Sequence, residues 1–261
     1  DVLRTQVAVS DHELEGIPAL RSVVSLIKSS QALRGLSARI ANGESTLGGR
    51  RAEVAQQVSA TMEQLQADMH AAGFDDLSDQ IASLQADIQS LTSSSTADPR
   101  QVFVAYSELI DRQMSLLDQL RDASAYVYTP YVESYHLMNA TLVESAQMSE
   151  ALAKARGLGS LLLAGRRAEP PVEDIGLAQD VAAQLQLAAA SWGRMRRELD
   201  KAERLNDSTS AVLAAPLQVA NAEVEAVLKL GKASLSATSA QSVDEWFARF
   251  SAALDAQSVL V

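Results

Sequence analysis

The chain has 261 residues, with 22 Lys plus Arg against 33 Asp plus Glu, a net charge of -11. Hydrophobic residues make up 47% and aromatic residues only 4%. That composition supports a sizeable core and excludes wholesale disorder, while the shortage of strand formers argues against a sandwich, barrel or wide sheet. The negative balance opposes nucleic acid as a partner, and the absence of Cys excludes disulfides and thiol chemistry.

Six helical segments are predicted in chain order. The first runs from about Val2 to Ala41, with a kink expected at Gly16-Ile17-Pro18, because Pro18 has no N–H for the carbonyl of Leu14. Asn42-Gly43 closes it. The second spans about Leu47 to Ala72 and stops at Gly73; the third spans about Asp76 to Leu91. Asp98-Pro99 opens a fourth, with Pro at the first helical position, which continues to Ala164 with a kink or break at Thr129-Pro130. A fifth spans about Glu173 to Leu205. A sixth runs from about Ser210 to the end, with Pro216 early in it and a polar stretch at Ser234, Ser236, Thr238 and Ser239.

At 1.5 Å per residue, the first helix would be about 60 Å long and an unbroken fourth about 100 Å. Rods of that length suit two bundles placed end to end. No unbroken apolar run approaches the roughly 20 residues that span a bilayer. The chain begins at Asp1 without Met, so membrane spans or a signal peptide are expected to flank it.

A short repeat accompanies this layout. Arg34-Gly35-Leu36 through Gly43 matches Arg156-Gly157-Leu158 through Gly165 in Arg, Gly, Leu and the final Gly, at one constant offset. On a helical wheel Arg34 shares the face of Leu20, Val23, Val24 and Ile27, with Gln31 on that face, Ser30 beside it and Ser37 at its edge. Arg156 falls near the centre of the face of Met138, Leu142, Leu152 and Leu163, with Ser145 and Ser149 alongside. Both copies therefore place a guanidinium where a bundle normally places Leu. Such a group cannot shed its proton and must meet a carboxylate, carbonyls, water or a bound anion. Two readings are open for each Arg: the anchor of a small-anion pocket, or an internal salt bridge or snorkelling side chain.

Other candidates are weaker. Arg50-Arg51 and Arg166-Arg167 follow glycines and read as solvated turns. Arg194, Arg196 and Arg197 read as a basic surface near Trp192, and Tyr126, Tyr128, Tyr131 and Tyr135 as packing around Pro130. His12, His70 and His136 lack metal-ligand spacing, and no catalytic constellation occurs, so no metal, cofactor or enzymatic activity is expected.

Glu15-Gly16-Ile17-Pro18, then Gln31-Ala32-Leu33-Arg34-Gly35-Leu36-Ser37 and Gly43, resembles the opening of helical extracytoplasmic sensor domains. These occur in bacterial methyl-accepting chemotaxis receptors and in some histidine kinases and diguanylate cyclases. Leu33 stands where such sensors carry His or Glu. Tyr131-Val132-Glu133-Ser134-Tyr135-His136-Leu137-Met138 resembles their Asp-x-x-Ser-Tyr-Tyr-Leu-Met run, with Tyr131 and His136 as departures. Trp246-Phe247 and Asp255-Ala256-Gln257 resemble the segment that leads into the second membrane helix. Nitrate/nitrite-sensing and helical bimodular domains are the nearest groups.

The resemblance implies an all-α fold of two stacked four-helix bundles sharing long helices, residues 1–261 forming one sensor domain with motif copies near 20–43 and 138–165. It implies a membrane-anchored, homodimeric receptor whose periplasmic portion takes a small anion such as a carboxylate or nitrate. The ligand residues it points to are Arg34, Gln31, Ser30 and Ser37 in one copy and Arg156, Ser145 and Ser149 in the other.

Overall fold

The computed structural model describes residues 2–94, 98–124, 131–165, 172–235 and 241–261. The fold is all-α, with no strand among the described residues. Its helices are α1 (Val2–Ala41), α2 (Gly48–Ala71), α3 (Ser78–Ser93), α4 (Pro99–Ala123), α5 (Val132–Met138), α6 (Ser145–Ala164), α7 (Val172–Leu205), α8 (Asp207–Ser234) and α9 (Val243–Ser258). The chain divides into two compact units, Asp1–Tyr135 and His136–Val261. α1 to α4 belong to the first and α6 to α9 to the second, so each of these long helices serves one unit instead of running through both.

Within the first unit α1 packs on α2 and α4, and α3 on α2 and α4. The buried positions Val54, Val58, Met62, Leu65 and Met69 of α2, and Ile81, Leu84 and Ile88 of α3, recur at three- and four-residue steps, which keeps one stripe on the core. α1 and α2 both end in the same way. Gly43 and Gly73 have φ of 105° and 75°, a left-handed conformation that suits glycine. The Glu44 N–H donates to the Arg39 carbonyl and the Phe74 N–H to that of Met69, so each helix ends on a Schellman turn. Arg39 clamps Glu44 with two nitrogens, tying the first of these turns to its helix.

In the second unit α6 packs on α7 and α9, and α8 on α7 and α9. The order of neighbours thus repeats that of α1 to α4. Its core gathers Leu152, Val181, Leu185, Met195, Leu199, Val224, Val227, Trp246 and Phe250.

Three features differ from the sequence expectation. The fourth predicted segment, for which a kink or break was expected at Thr129-Pro130, is interrupted earlier: α4 ends at Ala123, where the Ser124 N–H returns to the Leu120 carbonyl. Thr129-Pro130 lies outside the described residues. The sixth segment is two helices, α8 and α9, the second capped by Ser242, whose Oγ accepts from the Glu245 N–H. Third, α5 runs into a π-helical turn, Asn139–Glu144, before α6. Its extra residue shifts the helical phase, so Met138 and Leu142 are only half-buried while Leu152 and Arg156 are buried.

Among the described residues α8 is long and apolar enough, by length and composition, to cross a membrane. Single polar residues interrupt it, so it shows no unbroken apolar run. Its mean hydropathy still reaches 1.3, and only 22% of that window is buried in the fold.

Candidate functional site

Arg34 is fully buried in α1. Its Nη1 donates to Ser107 Oγ at 3.0 Å, and the guanidinium carbon lies 4.8 Å from the centre of the Phe103 ring. Ser107 is one turn beyond Phe103 on α4, and its hydroxyl donates to the Phe103 carbonyl at 2.7 Å. That bond commits the hydroxyl proton and turns the oxygen lone pairs toward the arginine.

Arg156 repeats this arrangement in the second unit. Nη1 donates to Ser251 Oγ at 2.9 Å, and the guanidinium stands 4.6 Å from the centre of the Phe247 ring. Ser251 Oγ donates to the Phe247 carbonyl at 2.8 Å. A desolvated guanidinium over an aromatic face is worth about 2 kcal/mol. Both Arg residues therefore anchor the helix that carries them to the last helix of the same unit.

The duplication is wider than the Arg-Gly-Leu motif. Phe103, Ser107, Asp111, Gln113 and Leu116 of α4 match Phe247, Ser251, Asp255, Gln257 and Leu260 at one constant offset, with aromatic Tyr106 and Phe250 also aligned. The N-caps Asp98 and Ser242 share that offset. Both glutamines occupy core positions. Gln113 Nε2 donates to Ser30 Oγ at 3.0 Å, and Gln257 Nε2 donates to Ser145 Oγ. This pattern was readable in the sequence as a second set of coincidences spaced differently from the first.

The predicted ligand residues consequently separate. Ser30 and Ser145 face the buried glutamines, and Gln31 is buried in α1. Ser149 is half-buried on α6. Ser37 faces Arg51. Arg51 is not a solvated turn: its Nε donates to Ser37 Oγ at 2.9 Å and its Nη2 to the Leu91 and Thr92 carbonyls at 3.4 and 3.0 Å. Those carbonyls end α3, where a cation is favoured by the helix dipole. Arg50, by contrast, is exposed and pairs with Glu53 at 3.0 Å. The signal that separates them is periodicity: Arg51 precedes Val54 and Val58 on the inward stripe of α2.

Ser37 and Arg51 line a cavity of about 630 Å³ within the first unit. Ile40, Leu91, Val102 and Tyr106 supply its apolar wall, and it opens past the exposed Gly48 and Gln101. Tyr106 Oη donates to the Leu91 carbonyl at 3.2 Å. Among the described residues the Arg51 Nη1 makes no hydrogen bond, so its two N–H groups remain for a guest. The cavity falls within the size range of small-molecule pockets, roughly 300–1,000 Å³, and combines apolar walls with one cation in the usual manner.

Of the other candidates, Arg194 is held by both oxygens of Glu144, at 2.9 and 2.8 Å, and by Ser191 and Gln147, which ties the π-helical turn to α7. Arg196 lies 3.7 Å from Asp200, and Arg197 is exposed. His136 Nδ1 lies 2.6 Å from Glu198 and His70 Nδ1 3.0 Å from Asp75. Tyr131 and Tyr135 are exposed. Tyr126, Tyr128, Arg166, Arg167 and the His12 side chain lie outside the described residues. No cluster of three or more His, Asp or Glu suited to a metal occurs among the described residues.

Fold and site together define an all-α protein of two compact units, each holding the same Arg–Phe–Ser anchor, the first with a cation-bearing cavity. No protein-family model, curated protein or solved structure matches the chain.

Proposed function

We propose that this chain is the extracytoplasmic ligand-binding domain of a membrane-anchored, homodimeric chemoreceptor, and that its ligand is a small organic or inorganic anion. The observation that supports this reading is the cavity in the first unit with the Arg51 guanidinium in its wall, held by neutral oxygens and with two N–H groups to offer. Coulomb attraction and hydrogen bonds from Nη1 of that group supply affinity against the field of a protein with net charge -11. Residues of all four helices of the unit line the cavity. A guest there binds one packing arrangement of those helices better than another and shifts their populations, the event a receptor passes to its output. The same domain would serve a histidine kinase or a diguanylate cyclase equally well.

A second reading has its own support. The buried guanidiniums of Arg34 and Arg156 rest on Phe and Ser of their own units in identical fashion, as structural anchors would. On that reading the protein is a helical rod or partner-binding scaffold without a small ligand. Calorimetric titration with a panel of organic acids, amino acids and inorganic anions separates the two. Saturable heat with any anion, weakened by Arg51→Ala, supports the sensor. A flat response across the panel, from protein shown to be folded, supports the scaffold.

A further inference from the structure

Among the equivalent positions at which the two units differ, two pairs fall on the cavity. In the second unit Trp246 of α9 lies against Gly159 of α6, so closely that a Cβ at Gly159 would stand 2.2 Å from the ring. The indole N–H donates to the Arg156 carbonyl at 3.0 Å, and the ring stacks at 4.3 Å from Phe250. Trp246 is almost wholly buried. The Arg-Gly-Leu repeat aligns Gly159 with Ser37, and the Phe-Ser-Gln repeat aligns Trp246 with Val102. Ser37 and Val102 both line the cavity of the first unit, as does Tyr106, the counterpart of Phe250. One unit thus fills with its own indole the space that the other leaves open.

We infer that the cavity lined by Ser37, Arg51, Val102 and Tyr106 is a binding site for a flat, ring-bearing carboxylate, the ring lying where Trp246 lies in the second unit and the carboxylate on Arg51. The inference rests on the anion-sensor reading and narrows it to one site per chain and one class of ligand. The shape requirement comes from the indole that the equivalent space accepts, stacked on an aromatic residue. The charge requirement comes from Arg51. Its Nε and Nη2 are engaged by Ser37 and the end of α3, which fixes the guanidinium in the cavity wall, and among the described residues Nη1 makes no hydrogen bond. Ser37 adds a hydroxyl where the second unit has no side chain.

Titration of the whole 261-residue chain with benzoate, indole-3-carboxylate, acetate and nitrate tests this. A ring acid is expected to bind at one per chain, with acetate and nitrate at least roughly tenfold weaker. The double substitution Val102→Trp with Ser37→Gly rebuilds the plug of the second unit in the first. It is expected to abolish binding while holding or raising the melting temperature, because it fills a void with a side chain the fold already accommodates elsewhere. Arg51→Gln is expected to weaken ring-acid binding roughly tenfold or more. Trp246→Val leaves the site untouched and should leave the affinity unchanged. Ring-acid binding that survives the plug overturns the site but leaves an anion sensor standing. Preference for acetate or nitrate overturns the ligand class and keeps the sensor. No response to any of the four, nor to the wider anion panel, overturns both readings.

Discussion

Trp246 packs directly on Gly159, with the indole seated where a side chain on residue 159 would have to be. The ring is rigid and buried, so it has no room to retreat. Gly159→Ala is expected to destabilise the protein by about 1–3 kcal/mol through overpacking. Ser37→Thr, which adds a methyl at the equivalent position and keeps the hydroxyl that holds Arg51, should cost less than half as much, because it faces a cavity. Chemical denaturation of both variants provides the comparison, and equal losses would contradict the unequal packing of the two units.

The Arg156–Phe247 pair should behave as a coupled unit. A double-mutant cycle with Arg156→Met and Phe247→Leu is expected to give a coupling of about 1–2 kcal/mol, the size of a desolvated cation–π contact. The cycle with Arg34→Met and Phe103→Leu should match it, since the two geometries agree within a few tenths of an ångström. Additive effects in both would remove the contact from the account of stability.

Gln113 is fully buried, donates to Ser30, and its Oε1 has no hydrogen-bond partner among the described residues. Ser30→Ala strands the amide donor as well and is expected to cost about 1–3 kcal/mol. Gln113→Leu combined with Ser30→Ala should recover most of that loss, because an apolar pair leaves no polar atom dry. Thermal unfolding of the single and double variants distinguishes a stability role for this polar pair from one of helix registry.

Burial pushes the Glu198 carboxyl up, but hydrogen bonds and charge from Lys201 and His136 outweigh it and hold the group below its ordinary value of 4.5. A folded pKa below the unfolded one means that the ionised form favours the native state. The contribution is therefore present in full above the ordinary carboxylate range and is lost as the pH falls through the lowered value. Melting temperatures measured from about pH 7 to pH 3 should converge for wild type and Glu198→Gln at the acidic end. A constant gap across that range would assign the effect to packing.

Helix class, the stops at Gly43 and Gly73, and the inward placement of Arg34 and Arg156 were all legible in the sequence. Each follows from local rules: φ preferences at glycine and the 3.6-residue period that puts position 34 on the face of Leu20 and Ile27. The phase of Met138 and Leu142 was not, because one extra residue in a π-helical turn leaves no mark in composition. An interruption near residue 130 was legible at Thr129-Pro130, but not that α4 already ends at Ala123.

Local periodicity by itself placed two arginines on apolar helix faces, because the side of a helix on which a residue falls is set by its spacing. What would meet them is a property of a neighbouring helix, and only packing in three dimensions brought Phe103 and Ser107, or Phe247 and Ser251, beneath them. The same holds for Arg51: its spacing from Val54 and Val58 turns it inward, but only packing brings the end of α3 beside it. Whether a space is filled or open depends on volumes contributed by several helices at once, so Trp246 in one unit and a void beside Val102 in the other became visible only when the chain had folded.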